Sequence, residues 1–239
     1  MWPVKPLWRR DRRGLQVRTR LPLSVWRWLD QRQIRVELAA LDRKPEPSPA
    51  SAAELVHVRN HRALWRIAIP GRADRFMSLE KGGMDDDRFV VMADARRFYR
   101  AWLASSLDAV HDRRDVTARV LRDMPADYKY RYAVQGFAAG RSSPVPLATV
   151  GASEPGKGPA LHFTNGVTRT FWLLANGAAS FPVETFYRED AMRLHRLVGL
   201  GANPLSCADL FQANTWEFDD PSSPWHPANW GDGLTAAAD

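Results

Sequence analysis

Apolar and polar residues alternate along LVHVRNHRALWRIAIPG (55–71), and the polar Arg59-Asn60-His61 in its middle predicts a β-hairpin. A continuous apolar run follows at Phe89-Val90-Val91-Met92, the mark of a buried strand. Asp94 stands where a helix N-cap belongs, ahead of Phe98, Trp102 and Leu103 on one helical face. Residues 108–122 read as a further helix, polar enough to be exposed. Val145 to Leu147 is a short strand introduced by Ser142-Ser143-Pro144 and followed by a turn. Pro155-Gly156-Lys157-Gly158-Pro159 is a loop, and Ala160 to Phe163 a strand. A helix over Thr168 to Ala175 stops at Asn176-Gly177, where glycine takes the left-handed conformation easily. Phe181 to Tyr187 is the next strand, and Glu189 to Leu197 a helix ended by Gly199. Strand, helix, strand, helix predicts an α/β fold of mixed, α+β character.

The two ends of the chain follow other rules. Ser24 is placed to cap a short helix, VWRWLDQRQ, and QIRVELAALD fits a strand or a second helical turn. KPEPSPASAAE (44–54) has a linker's composition. From Asn203 the chain is rich in Pro, Asp and Trp, with little periodicity. The expected organisation is a basic, Trp/Arg-rich extension over 1–50, a domain over 51–202 and an acidic tail over 203–239.

Charge separates these segments further. The 239 residues carry a formal charge of +7, and a pI of about 10.0 directs attention to a polyanion or an acidic partner. Residues 1–44 hold twelve Lys/Arg against four Asp/Glu, and beyond Arg196 there is no Lys or Arg, only Asp and Glu among the charged residues. With 45% hydrophobic and 26% charged residues, the composition is that of a globular chain. Cys207 is the single cysteine, which excludes an intramolecular disulfide and a cysteine metal cluster. No apolar run approaches twenty residues, and arginines interrupt any leader-like segment at the N-terminus. A soluble, non-exported, cytoplasmic protein is expected.

Within the basic arm, Arg9, Arg10, Arg12 and Arg13 are interleaved with indoles, Trp26 and Trp28 among them. Single-stranded nucleic acid binding uses that mixture, since phosphates attract cations and unstacked bases pair with π faces. An amphipathic segment that packs its tryptophans on the domain would look the same. His57 and His61 lie on the predicted hairpin and read as a surface pair. Asp85-Asp86-Asp87 reads as a solvated loop beside Gly82-Gly83, with divalent metal binding as the alternative.

The corner from Asn165 to Thr170 has a chemistry of its own. A helix that starts after Asn165-Gly166 leaves backbone amides unpaired and carries partial positive charge, which suits an anion. Gly166 permits a tight turn or the close approach of a ligand. Arg169 adds a bidentate grip for phosphate or carboxylate, and Thr168 and Thr170 add hydroxyls. Taken alone, the same residues describe an Asn-Gly turn with a threonine cap and an arginine in solvent.

The order of elements around that corner resembles the ParB/sulfiredoxin fold. A strand, Asn165-Gly166-x-x-Arg169, an apolar helix, then Phe181-Pro182-Val183 on a strand follow that superfamily's plan over residues 128–200. There a Gly-x-x-Arg box opens the helix and binds nucleotide phosphates. Pro144-Val145-Pro146-Leu147-Ala148 resembles the preceding strand and turn. Sulfiredoxins carry a catalytic cysteine after the box glycine, where this chain has Val167, and that excludes their thiol chemistry. Partition ParB proteins place a second arginine at the position of Thr168 and follow with a DNA-reading domain that is not expected in the short acidic tail.

FVVMADARRFYRAW, DYKYRYAVQGFAAGRSSPVPLA and NGVTRTFWLLANGAASFPV together are similar to the plasmid fertility inhibition factors of the Osa and FiwA kind. The resemblance implies a protein that blocks conjugative export from the donor cell by nucleotide hydrolysis and DNA degradation at the coupling protein. In such a DNase, Arg169 and the amides after Gly166 would grip phosphate, Asn165 would orient a phosphate or ribose hydroxyl, and Glu184 would serve as general base or metal ligand. Lys157 would be a second phosphate contact, and Tyr128, Lys129 and Tyr130 would line a DNA path. His162 reads first as an ordinary buried histidine. ATP or another nucleotide and Mg²⁺ are the implied cofactors. DNA and the type IV coupling protein or relaxosome are the implied partners, the latter recruiting the chain to the inner-membrane transfer machinery. Two rivals remain open: a non-catalytic inhibitor of the coupling ATPase or relaxosome, and a single-stranded DNA-binding protein driven by the arm.

Overall fold

The computed structural model describes residues 7–10, 16–19, 23–44, 52–59, 61–83, 86–108, 118–154, 160–201 and 203–212. The chain divides into two units, Met1–Lys44 and Pro45–Asp239. In the first, β1 (Leu7–Arg10) pairs antiparallel with β2 (Gln16–Thr19), and α1 runs from Leu23 to Arg43. One 21-residue helix thus replaces the predicted short helix and its uncertain successor, and Ser24 lies inside it instead of capping it. The physical reason is local: QIRVELAALD holds good helix formers, and no Gly or Pro interrupts the chain between Pro22 and Pro45.

Among the described residues the second unit contains two sheets. β3 (Glu54–Arg59), β4 (Arg62–Ile67) and β5 (Arg75–Glu80) form an antiparallel meander. It begins with the predicted hairpin, and Leu64, Trp65 and Ile67 are buried along it. Next come β6 (Arg88–Asp94) and α2 (Ala95–Asp108). The Asp94 carboxylate accepts the Arg97 amide at 2.8 Å, the capping bond the sequence calls for. A 3-10 helix, Leu121–Ala126, and α3 (Tyr130–Ala138) follow.

The chain then crosses from one sheet to the other. β7 (Val145–Pro146) adds in parallel to β5 and completes a four-stranded sheet, β3-β4-β5-β7. After Leu147, β8 (Ala148–Gly151) enters the second sheet. β9 (His162–Asn165), α4 (Val167–Ala175), β10 (Ser180–Phe186) and α5 (Arg188–Val198) come next, and β11 (Leu205–Ser206) and α6 (Cys207–Gln212) close the described chain. The second sheet has the order β11-β6-β10-β8-β9. β10 is antiparallel to β6 and parallel to β8, so the fold is mixed α/β, as expected.

Several predicted elements change. Ala148–Gly151 is a fully buried strand where a turn is expected, because the crossing at Leu147 leaves room for four paired residues. Of the exposed helix predicted over 108–122, residues 109–117 lie outside the described residues. Ala118 and Val120 are buried and non-helical. Polar groups of α2 hold that segment: Ser106 Oγ accepts the Ala118 amide at 2.9 Å and Tyr99 Oη accepts the Leu121 amide at 3.0 Å. Packed structure continues past residue 202, since β11 pairs with β6 and Cys207, Leu210 and Phe211 are buried.

Alternation along β10 sends Phe181, Val183 and Thr185 to one face and Glu184 to the other. The first face meets an aromatic cluster. Trp102 stacks on Phe171 at 5.0 Å and lies 4.5 Å from Phe163, while Phe98 meets Phe181 edge-on at 5.2 Å. Rings from α2, α4, β9 and β10 therefore fix the box helix on its sheet, and offset or edge geometries of this kind add to area burial.

Candidate functional site

The corner forms because Gly166 accepts a backbone that other residues resist. Its φ is +95°, and an added Cβ would lie 2.6 Å from Ala148 Cβ and 2.7 Å from Ala148 Cα. β9 therefore turns directly into α4 against the start of β8. The amides of Val167, Thr168 and Arg169 occupy the first turn of α4, where helix geometry supplies no internal acceptor. No acidic residue stands in that turn, and Arg169 does. A cation there opposes the helix dipole by about 0.3–1 kcal/mol, which concentrates positive charge instead of cancelling it.

Arg169 folds back over the turn, with Nε 3.2 Å from where a Gly166 Cβ would be. Its Nη1 donates to the Pro146 carbonyl at 2.6 Å and the Leu147 carbonyl at 2.8 Å, so it braces the crossing between the two sheets. Burial pulls the guanidinium pKa below the usual arginine value, and the negative charge of Glu184 opposes that shift. Among the described residues no carboxylate lies within ion-pairing distance of Arg169, and Nε and Nη2 donate to no protein group.

Sheet register brings Asn165, Thr149 and Glu184 into one row across β9, β8 and β10. Asn165 is exposed at the end of its strand. Glu184 accepts from the Thr149 hydroxyl at 2.6 Å and from Arg88 Nη1 at 3.0 Å. Arg88 also grips Asp86 through Nε at 2.7 Å and Nη2 at 2.8 Å, and donates to the Glu80 carbonyl at 2.6 Å. Asp86 in turn accepts the Gly82 amide at 2.7 Å. Bonding by Arg88 holds the Asp86 carboxyl below its ordinary value, and Asp86 pushes the Arg88 guanidinium higher. The fully buried Cys207 lies close to Asp86 and Glu184, and its thiol pKa is pushed up to about 12, mainly by burial.

Two expectations change here. Thr170 is fully buried and its hydroxyl donates to the Gly166 carbonyl at 3.1 Å, so it has no face for a phosphate. Asp86 is not freely solvated: it lies in the loop before β6, but its side chain is 9% exposed and pairs with Arg88. Both oxygens of Glu184 and both of Asp86 accept hydrogen bonds, and among the described residues no group of three or more His, Cys, Asp or Glu side chains is placed to hold a metal ion. Thr168 remains part-exposed in the first turn of α4. His162 packs its ring over Gly151, with Nδ1 3.4 Å from Ser153 Oγ, which keeps it on the sheet as a structural residue.

Lys157, Arg12 and Arg13 lie outside the described residues. Arg9 and Arg10 fall on β1, and Trp26 and Trp28 on α1. Trp28 is exposed, with the Arg32 guanidinium 5.6 Å from its ring centroid. Sequence reasoning missed Arg88 and Thr149. The signal available for Arg88 was an arginine that joins an acidic triplet to an apolar strand. Nothing local marks Thr149.

Residues 90–199 match the family described as plasmid fertility inhibition factor. The Osa protein of Shigella flexneri is 36% identical over 184 residues, 77% of this chain and 90% of that protein. The chain belongs to the plasmid fertility inhibition factor family. A solved relative agrees: the crystal structure of oncogenic suppression activity protein, a plasmid fertility inhibition factor, as a gold(I) cyanide derivative. It matches with a TM-score of 0.62 and 33% identity, covering 79% of this chain and 96% of that one. The segment matched to the fertility inhibition family contains Thr149, Asn165, Gly166, Arg169 and Glu184, so the whole row lies within it, while Arg88 falls just before its start. Among the described residues of this family member, no helix is long and apolar enough to cross a membrane.

Proposed function

We propose that this fertility inhibition factor blocks conjugative transfer from the donor cell by degrading transferring DNA at the Asn165–Arg169 corner, within a ParB/sulfiredoxin-like core. The observation that supports the reading is Arg169: a cation partly withdrawn from water, without a carboxylate partner among the described residues, turned over the amide-bearing end of α4. Such a group gains from a bound anion, and a phosphoryl oxygen fits its free Nε and Nη2 edge. The amides of Val167 and Thr168 and the guanidinium aim fixed positive charge at that oxygen as negative charge develops on it. Asn165, exposed beside them, orients the phosphate or its sugar. Glu184 takes the proton from the attacking water once Thr149 yields its bond, and Arg88 keeps the carboxylate in place. As the water oxygen bonds to phosphorus, the P–O bond to the leaving sugar oxygen breaks, and that oxygen takes a proton from solvent. ATP or another nucleotide would present its phosphates to the same corner. The coupling protein is where transferring DNA is met.

A second reading draws support from the commitment of Glu184 and of Arg169 Nη1 to internal bonds. In it the phosphate site binds but does not turn over, and the chain occludes the coupling protein or relaxosome. Purified protein incubated with single-stranded and duplex DNA separates the two. Arg169→Ala and Glu184→Ala are each expected to lower cleavage at least roughly a hundredfold, in the range that loss of a charge-stabilising donor or a general base produces. Cleavage at the parent rate by both variants overturns the site. An inactive parent that still inhibits mating in donor cells establishes the occluding reading instead.

A further inference from the structure

A second surface of the same unit has the composition of a base-stacking platform. α3 is fixed from beneath: Ala133 and Phe137 are buried, Phe137 stacks on Trp172 at 4.3 Å, and Asn176 Nδ2 donates to Tyr130 Oη at 3.1 Å. On the outer side Tyr128 is 75% exposed and Tyr132 56% exposed. Neither ring is needed for packing, yet each is held. The Lys129 ammonium lies 5.3 Å from the Tyr128 centroid and the Arg131 guanidinium 4.9 Å from that of Tyr132. Arg131 Nη2 also donates to Tyr132 Oη at 3.0 Å.

We infer that Tyr128 and Tyr132, with Lys129 and Arg131, bind a single-stranded polynucleotide by stacking two bases on the rings and neutralising the adjoining phosphates. Tyr128 lies in the turn that leads into α3 and Tyr132 in its first turn, so two exposed rings flank Lys129 and Arg131 within one short stretch of chain. A duplex hides its base faces and a lone anion has none, so neither uses both features. An acidic peptide would use the cations alone. The contacts that join α3 to α4 run from Tyr130 at Asn176 to Phe137 at Trp172, so the two helices are antiparallel. The platform therefore lies toward the end of α4 away from Gly166, and nine helical residues separate those ends by about 14 Å. This inference rests on the proposed DNA-degrading reading only in naming DNA as the strand, and it gives that site a preference for unpaired substrate.

Fluorescence anisotropy tests it with labelled dT, rU and duplex DNA oligonucleotides, their length checked afterwards on a denaturing gel so that binding is read apart from cleavage. The parent is expected to bind single strands more tightly than duplex. Tyr128→Ala/Tyr132→Ala should weaken single-strand binding at least roughly tenfold, because each stacked base contributes roughly 5- to 150-fold. Tyr128→Phe/Tyr132→Phe should keep the affinity, and Lys129→Ala/Arg131→Ala should lower the steepness of its salt dependence. Preference between dT and rU assigns the strand to DNA or RNA, and either preserves the platform. Equal binding by the double alanine variant and the parent overturns it, as does a parent that favours duplex or binds no oligonucleotide at low salt. A parent that stacks single strands but cleaves nothing removes only the degradative reading; one that cleaves while the tyrosine variants bind normally removes only the platform.

Discussion

Helix α4 begins and ends on a left-handed glycine, Gly166 at φ +95° and Gly177 at φ +75°. Beyond the backbone angle the two corners diverge. A Cβ at Gly177 would come no nearer than 3.9 Å to Pro70, whereas at Gly166 it would strike the backbone of Ala148. The C-terminal corner is closed by its own chain: the Gly177 amide donates to Leu174 and that of Ala178 to Leu173, a common helix stop. The N-terminal corner has no side-chain cap, an arginine against the dipole, and a row of polar residues below it drawn from three strands. Unfavourable local choices collect at one end of the helix only, and that asymmetry, rather than the glycine itself, separates a candidate site from a turn.

The largest predicted effect comes from the polar floor. Arg88 is 19% exposed in its side chain, against 9% for Asp86 and 14% for Glu184, so Arg88→Ala leaves two carboxylates without their cation. A loss of about 3–5 kcal/mol is expected in urea unfolding, the usual consequence of removing one partner of a buried pair. Arg88→Lys should restore only part of it, since an ammonium cannot reproduce the two-pronged grip on Asp86 while reaching Glu184. A loss below 1 kcal/mol would mean that the floor does not support the corner.

Gly166→Ala comes next. The left-handed angle costs about 1–2 kcal/mol for a residue with a Cβ, and overpacking against Ala148 adds about 1–3 kcal/mol. Thermal unfolding should report the sum, and phosphate or nucleotide binding should fall with it, because β8 must move. Unchanged binding with reduced stability would separate the turn from the site.

The corner's legibility in the sequence has a physical boundary. Asp94, the face of Phe98 and Trp102, Gly166 and Gly177 were all readable, because capping, helical period and left-handed turns are decided within a few residues. Arg88 and Glu184 are 96 positions apart, and Thr149 and Glu184 are 35 apart. No local rule joins them; sheet order does. β8 was hidden because its four residues, Ala-Thr-Val-Gly, offer too little alternation to read. Thr170 looked like a donor beside Arg169, and only the packing of α4 reveals that its hydroxyl faces inward. The Gly-x-x-Arg box was thus visible as a motif, while the bonds that brace Arg169 and hold Glu184 were not.

Titration sharpens the contrast between the corners by a smaller amount. Asp86 has a folded pKa depressed from 3.8, so its contribution is present above that value and lost as pH falls through the folded pKa. The Cys207 thiol is raised from 9.0 to about 12, so its contribution is complete below pH 9 and lost as pH rises toward 12. Tyr130, raised from 10.0 chiefly by burial, acts in the same alkaline direction beside the C-terminal corner. Urea midpoints against pH should therefore show an acid limb removed by Asp86→Asn. The alkaline limb should split between Cys207→Ala and Tyr130→Phe, with a slope for the thiol approaching about 1.4 kcal/mol per pH unit. An alkaline limb that survives both variants would place the responsible proton elsewhere.

Gly177→Ala should have the smallest effect, about 1–2 kcal/mol, because only the backbone angle resists the new methyl group. Asn176 lies on the platform side of this corner, where its amide donates to Trp172 O at 2.8 Å and to Tyr130 Oη at 3.1 Å. Those bonds do not involve residue 177, so the C-terminal end has a means of holding α3 even when its stop is strained. Phosphate binding at the opposite end should be unaffected, since Arg169 is anchored to the Pro146 and Leu147 carbonyls and the helix starts at Gly166. If Gly177→Ala weakens phosphate binding as much as Gly166→Ala does, α4 responds as one rigid body and the two corners are not independent. If stability alone falls, and by less than half the Gly166→Ala loss, the left-handed turn at Gly177 is ordinary helix termination. The chemistry then belongs to the end where the turn, the arginine and the polar row coincide.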